Sequence, residues 1–484
     1  MKNLIKSTIL KNTFWLGSSE IISRFLRFFL VVSAARILGV TEYGQFSFVS
    51  QILFFSAIFT DLGISPILTR ELSKNWSREK KNISSTLLLK TILILLTWLA
   101  IFVLSFAFIH ETIIRIILII LSFDTVSGAF IKFINALFEA RQKMRYEAWG
   151  TVLRSFLIVI SGLFILFNYP SIINLSWTYA IGSILTAIFL TYIYQKTTQE
   201  KLLLSIDTSN WKKILSISWP VAMTVVFAAI YHSMDSIMLG FWGMMTENGW
   251  YSAAYKIMDI SLTPIIWISS SFFPVLSQKF KNTQGKEAQK KIFVSHLSIL
   301  TILGFPITIG GIMLAPQIIN LVYGSAYQPS VLAFQILMGA LLLIYLNNTF
   351  GQTLLAANFQ KYSFGVTVIG AFINIALNWI LIPRYSLYGA ATATFLTYLF
   401  DFITIMILTK KLVNLSFWQE DFLIVLLKTI LSTGLMAGLI WYLTNIHFNT
   451  VLIIILGAIF YGLLTFFLNQ RFILLIIQKN KGNS

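Results

Sequence analysis

The chain has 484 residues, of which 57% are hydrophobic and 11% charged, whereas a soluble domain is about a quarter charged. No water-soluble surface can be built from that composition, so a membrane-embedded chain is expected. A net charge of +18 would raise the question of nucleic acid in a soluble protein, but these charges lie in short gaps between apolar runs and no nucleic-acid partner is expected; the absence of cysteine excludes disulfides and thiolate metal sites.

A bilayer core needs roughly 20 apolar residues per helix. In chain order the sequence predicts spans at 13–35, 44–67, 83–109, 113–138, 150–167, 172–194, 214–242, 250–276, 292–314, 331–355, 362–382, 387–408, 422–443 and 451–468. The basic start runs into a long apolar stretch with no small-residue cleavage site, which predicts a retained first helix and not a removed signal peptide. The strict alternation over ~10 residues that a membrane β-strand needs is absent. The expected fold class is therefore all-α and polytopic, with about 14 transmembrane helices.

Charge tests the count. With the N-terminus in the cytoplasm, 26 of the 36 Lys and Arg fall in inside segments, among them Arg78, Lys80, Lys81, Lys201, Arg471, Lys479 and Lys481. Only Arg36, Arg115 and Arg384 fall outside, and the other seven lie within spans. A miscounted helix would invert the alternation downstream, and it never inverts. Both termini are expected in the cytoplasm.

Between spans one and two the chain reads Thr41-Glu42-Tyr43-Gly44, and between seven and eight Thr246-Glu247-Asn248-Gly249. Asp61-Leu62-Gly63-Ile64-Ser65-Pro66 is echoed by Asp259-Ile260-Ser261-Leu262-Thr263-Pro264, an Asp-x-x-x-(Ser/Thr)-Pro pattern in both. Six spans separate the copies, so the halves share one orientation, as in transporters built from parallel repeats. The expected division is a lobe at 1–207, a second at 208–414, and an appendage with a cytoplasmic tail at 415–484.

An ionisable side chain at mid-bilayer costs about 2.5 to 3.5 kcal/mol, so each one needs a reason. Arg24 and Arg27 lie mid-span on one helix face, with Glu20 a turn before Arg24. They read either as internally paired charges or as a bidentate fork for a phosphate or pyrophosphate, with Asp124 as the expected partner in an empty cavity. Lys132 and Lys256 are further cationic candidates. Asp61, Asp124, Asp235 and Asp259 are candidates for gating or for binding a coupling Na⁺ or H⁺, with Asp235, Lys256 and Asp259 expected to cluster. Lys90, Arg154 and Lys428 lie near cytoplasmic ends, where snorkelling is the simplest reading. No other cofactor is expected. His110, His232, His296 and His447 have no metal-ligand spacing, and neither a metal site nor a catalytic constellation is expected.

Several stretches carry a family resemblance: Ile37-Leu38-Gly39 followed by Tyr43-Gly44, Thr60-Asp61-Leu62-Gly63 running to Thr69-Arg70-Glu71-Leu72, Ala254-Tyr255-Lys256-Ile257, Phe273-Pro274-Val275-Leu276-Ser277, and Asn374 and Asn378 leading to Ile382-Pro383-Arg384-Tyr385-Ser386 and Gly389-Ala390-Ala391. The sequence is similar to the Wzx-like lipid-linked oligosaccharide flippases, whose superfamily also contains the MATE drug exporters and the lipid II flippases. The resemblance covers nearly the whole chain and implies a MATE-like pair of six-helix lobes with a cationic central cavity. It also implies alternating access, and an undecaprenyl-pyrophosphate-linked sugar unit as cargo, moved from the inner to the outer leaflet of a bacterial cytoplasmic (inner) membrane.

The implied pathway is O-antigen, lipopolysaccharide or another polysaccharide. Membrane lipids, a polymerase and chain-length machinery are the implied partners, and Arg24 and Arg27 the implied pyrophosphate contacts. A multidrug exporter or a lipid II flippase of the same fold is the nearest alternative. A polysaccharide polymerase or ligase fits less well, because the longest outer connection, 315–330, has no charge on which to build catalysis.

Overall fold

The computed structural model describes residues 2–76, 82–200, 202–281 and 285–469, with side chains from residue 11 onward except at 281. Arg78, Lys80, Lys81, Lys201, Arg471, Lys479, Lys481 and the expected cytoplasmic tail lie outside the described residues. No strand forms among them, and eleven helical runs are long and apolar enough to cross a membrane. Leu, Ile and Trp side chains such as Leu95, Leu99, Leu104, Ile188, Trp379 and Leu427 lie exposed, a surface suited to lipid.

Packing divides the chain into two compact units, Met1–Gly249 and Trp250–Ser484. The first contains α1 (Lys2–Leu38), α2 (Val40–Ser56), α3 (Ile64–Lys74), α4 (Ile83–Phe108), α5 (Thr112–Ala140), α6 (Met144–Asn168), α7 (Ile172–Thr198), α8 (Thr208–Phe241) and the start of α9 (Met245–Ser261). The second holds the rest of α9, α10 (Thr263–Lys281), α11 (Lys286–Met313), α12 (Ala315–Tyr323), α13 (Ser330–Ala356), α14 (Gln360–Val413), α15 (Glu420–Asn445) and α16 (Thr450–Leu468). The repeat pattern divides the sequence at 207/208, whereas α8 packs against α2, α3 and α4 of the first unit.

In the first unit α1 lies along α6, and α5 along α7, around a core that includes Leu30, Phe48, Ile117, Leu121, Ile158 and Leu175. In the second, α11 packs on α13 and α15, and Phe293, Leu297, Phe350 and Phe422 meet in its interior. The long run α14 is two helices. Asn374 and Thr397 approach to 3.5 Å, although 23 residues of straight helix would span about 35 Å. The chain folds back at Ser386, whose φ of 52° and ψ of −131° are not helical, and two predicted spans are thereby recovered from one run. The number fourteen itself rests on the sequence pattern, since α1 and the pair α2 and α3 are not among the eleven runs.

Both copies of the Asp-x-x-x-(Ser/Thr)-Pro pattern mark a broken helix, so the uninterrupted spans expected at 44–67 and 250–276 are each two segments. The first break lies between α2 and α3, where Leu62 and Gly63 take φ of 43° and 73°, a conformation that glycine adopts without steric cost. The Asp61 carboxylate then caps the new helix, accepting from the Ser65 backbone N–H at 3.3 Å. Pro66 follows in the first turn, where no N–H is needed. The second break is milder, a single residue, Leu262, between α9 and α10.

The Thr-Glu-x-Gly copies meet each other. They are helix N-termini, with Glu42 and Glu247 in the first turns of α2 and α9, where negative charge suits the helix dipole. The Thr41 and Thr246 hydroxyls lie 2.8 Å apart, and Asn248 Nδ2 donates to the Gly44 carbonyl at 2.8 Å. A Cβ on Gly44 would stand 1.8 Å from the Met245 carbonyl oxygen, and one on Gly249 would stand 2.1 Å from that of Val40. The contact is reciprocal in sequence: residues 40 and 44 face 249 and 245, the same offset of 205 that separates the repeat copies.

Candidate functional site: a charged cavity in the first unit

A cavity of about 420 Å³ opens among α1, α3, α5 and α6. Arg27 enters it from α1, Thr69 from α3, Lys132, Asn135 and Glu139 from α5, and Glu147, Thr151 and Arg154 from α6. Its wall thus carries three cations and two carboxylates, an unusual concentration in an apolar bundle. Each charge needs compensation inside the unit.

Arg154 donates to Asp124 at 2.6 Å and to Ser183 Oγ at 2.8 Å, and Ser183 in turn donates to the same Asp124 oxygen. This triad joins α5, α6 and α7. Arg27 donates from Nε to the Ser23 carbonyl at 3.2 Å, while Ser23 Oγ reaches the Thr151 carbonyl at 3.2 Å and holds α1 against α6. Thr69 donates to Glu139 at 3.0 Å.

At the break between α2 and α3, Asp61 is buried and takes two lysines. Lys90 Nζ of α4 meets Oδ1 at 2.5 Å and Lys132 Nζ of α5 meets Oδ2 at 2.8 Å. Lys90 also donates to Ser65 Oγ at 2.7 Å. The Asp61 carboxylate therefore both starts α3 and ties it to α4 and α5.

The structure brings together Arg27, Lys132, Asp61 and Asp124 of the sequence candidates, but it separates the expected Arg fork. Arg24 pairs with Glu20 at 2.7 Å, lies exposed, and is not on the cavity wall. Asp124 is held by Arg154 and not by the arginines of α1. Asp235 is buried on α8 in the first unit. Lys256 and Asp259 form a loose pair at 3.8 Å on α9 in the second.

Snorkelling is overturned for Lys90, which is fully buried against Asp61, and for Arg154, the Asp124 partner. Lys428 Nζ donates to the Leu468 carbonyl at 2.8 Å, capping the end of α16. For Lys90 a signal was present. Thr86, Lys90 and Thr97 fall on one face of α4 with Ile83, Leu87, Ile94 and Ile101, all buried, so that face meets protein and not lipid. Among the described residues no group of three or more His, Asp or Glu side chains is placed to hold a metal ion.

Comparison with known proteins places the chain. It is 22% identical over 257 residues to the probable low-salt glycan biosynthesis flippase Agl15 of Haloferax volcanii, covering 53% of each chain. It is also 22% identical to the putative O-antigen transporter of Escherichia coli K12, over 80% of this chain and 94% of that one. The chain spans about half the length of the first curated relatives it matches. Its fold superposes on the lipid II flippase MurJ with a TM-score of 0.77 at 19% identity, over 94% of this chain and 99% of that one. Residues 9–280, more than half of the sequence, match the family model described as polysaccharide biosynthesis protein, and the chain belongs to that family.

Proposed function

We propose that the protein is a flippase that carries a polyprenyl-pyrophosphate-linked oligosaccharide unit from the inner to the outer leaflet of the cytoplasmic membrane by alternating access. Both termini lie in the cytoplasm, the polyprenyl chain is undecaprenyl, and a polymerase and chain-length machinery act on the product. The observation that carries this reading is the convergence of Arg27, Lys132 and Arg154, from three helices, on one cavity. A pyrophosphate cannot cross hydrocarbon unaided, whereas its polyprenyl tail need never leave lipid. Guanidinium and ammonium donors in a low-dielectric cavity replace the water that the headgroup gives up. The relatives named as glycan flippases and as an O-antigen transporter support the same cargo class.

Turnover is coupled to Na⁺ or H⁺ in this reading, with Asp61, Asp124, Asp235 and Asp259 as the carboxylates to examine. The test is reconstitution. Proteoliposomes containing the purified chain should make a labelled undecaprenyl-pyrophosphate glycan accessible in the opposite leaflet, and an Arg27→Ala/Arg154→Ala variant of equal incorporation should not. Equal translocation by that variant would reject the cavity as the headgroup path. Imposed Na⁺ and H⁺ gradients on the same vesicles would identify the coupling ion, and indifference to both would reject coupling.

A further inference from the structure

Two lysines share one buried carboxylate, and their surroundings differ. The Asp61 and Lys90 side chains are 3% and 0% exposed, whereas that of Lys132 is 56% exposed and lines the cavity. Lys90 is fixed three ways: it donates to Asp61 and to Ser65 Oγ and lies 5.8 Å from the centre of the Phe133 ring. Among the described residues Lys132 makes one ion pair, to the other carboxylate oxygen.

The cluster carries one positive charge more than it needs. If Lys132 turns away from Asp61, the Asp61 and Lys90 pair that remains is neutral and hydrogen-bonded, with Ser65 still donating to the carboxylate. The large cost of leaving a buried charge unpaired is never incurred. The other cavity ion pair lacks this property. Were Arg154 to leave Asp124, that carboxylate would keep only the Ser183 hydroxyl.

We propose that Lys132 is the cation the carrier hands to its anionic cargo, and that Lys90 is the positioning residue that makes the exchange possible by holding Asp61 neutralised. Arg154 stays in place and contributes field, while Lys132 moves from Asp61 to a phosphate oxygen and back. This rests on the reading of the cavity as the pyrophosphate site. It adds a direction of charge movement within it: an internal carboxylate is exchanged for an external anion at one ammonium, with no net change in buried unpaired charge.

The test uses the full-length purified protein with inorganic pyrophosphate as the probe, read by calorimetry, alongside thermal melting. Lys132→Met should weaken pyrophosphate about tenfold with melting near that of the wild type, and Lys132→Arg should restore most of the affinity. Lys90→Met should weaken binding by a similar factor although Lys132 is intact, because Lys132 is then the sole counter-charge of Asp61 and stays clamped to it. Lys90→Met/Asp61→Asn releases the clamp and should recover affinity to within about threefold of the wild type.

Unchanged affinity in Lys132→Met would overturn the proposal, as would a double variant that melts normally yet binds as poorly as Lys132→Met. Should Lys90→Met fail to fold, the double variant, which leaves no buried unpaired charge, decides by the same criterion. Wild-type protein that does not bind pyrophosphate at all would overturn the cavity reading itself. Binding by wild type and Lys132→Met alike would overturn this inference alone.

Discussion

Arg24 and Arg27 stand three residues apart on α1, yet one is an exposed partner of Glu20 and the other reaches the cavity. Their variants should therefore behave differently. Arg27→Ala is expected to lower glycan export at least tenfold at unchanged membrane abundance, while Arg24→Ala keeps most of it, because an exposed i,i+4 pair contributes only about 0.5 kcal/mol. Surface glycan measured against protein level in a complemented deletion strain distinguishes them, and equal loss in both would restore the fork of two α1 arginines. The Asp124 and Arg154 pair makes a stability prediction. Arg154→Leu leaves Asp124 without its cation and should destabilise by about 3 kcal/mol, whereas Arg154→Leu/Asp124→Asn should recover most of the loss in a melting assay. Which residues carry intramembrane charge could be read from the sequence, and so could the suspicion that they pair. The choice of partner could not be read, because it depends on which helices are neighbours: Asp124 finds Arg154 across α5 and α6, 30 positions on, with no local pattern to announce it.

At the scale of the elements, the two repeated motifs have different jobs. Asp-x-x-x-(Ser/Thr)-Pro breaks a span, and at the first copy the Asp that caps the new helix is also the hub of the lysine cluster, so helix break and charge placement are one feature. Discontinuous helices of this kind tend to lie beside transport sites, since freed backbone groups and capping side chains are tolerated only next to protein or a cavity. Thr-Glu-x-Gly brings two helix starts into backbone contact. Gly44→Val and Gly249→Val should each cost about 1 to 3 kcal/mol through overpacking, with loss of folded material on size-exclusion chromatography. Substitution at Gly434, where a Cβ would meet nothing within 4 Å, should be nearly silent. Because the chain has no cysteine, Thr41→Cys/Thr246→Cys is expected to form a disulfide on mild oxidation, detected as a mobility shift after cleavage between the two positions. The repeat was legible in the sequence. Its physical meaning was not, since a close approach between residues 205 apart is a tertiary fact that composition and spacing do not encode.

For the whole molecule, the separation between lipid-facing and protein-facing surfaces decides more than any single contact. Helices in a bilayer gain nothing from burying leucine against leucine instead of against lipid, which is why hydropathy located the runs well but said little about which faces meet. Small and polar faces carry that information, as on α4. Orientation is governed by a different force, the asymmetric retention of Lys and Arg, and with the proposed cytoplasmic N-terminus the connection after α4 is expected outside and the connection after α5 in the cytoplasm. Glu111 and Gln142 are exposed residues at those two turns, and the cysteine-free background allows each to be replaced singly. Glu111→Cys should react with a membrane-impermeant maleimide on intact cells, or on spheroplasts if an outer membrane intervenes, whereas Gln142→Cys should react only after permeabilisation. The reverse pattern would place the lysine-rich turns outside and would reject the expected orientation. Labelling of both from one side would mean that α5 does not cross, and the alternation on which the span count depends would fail with it.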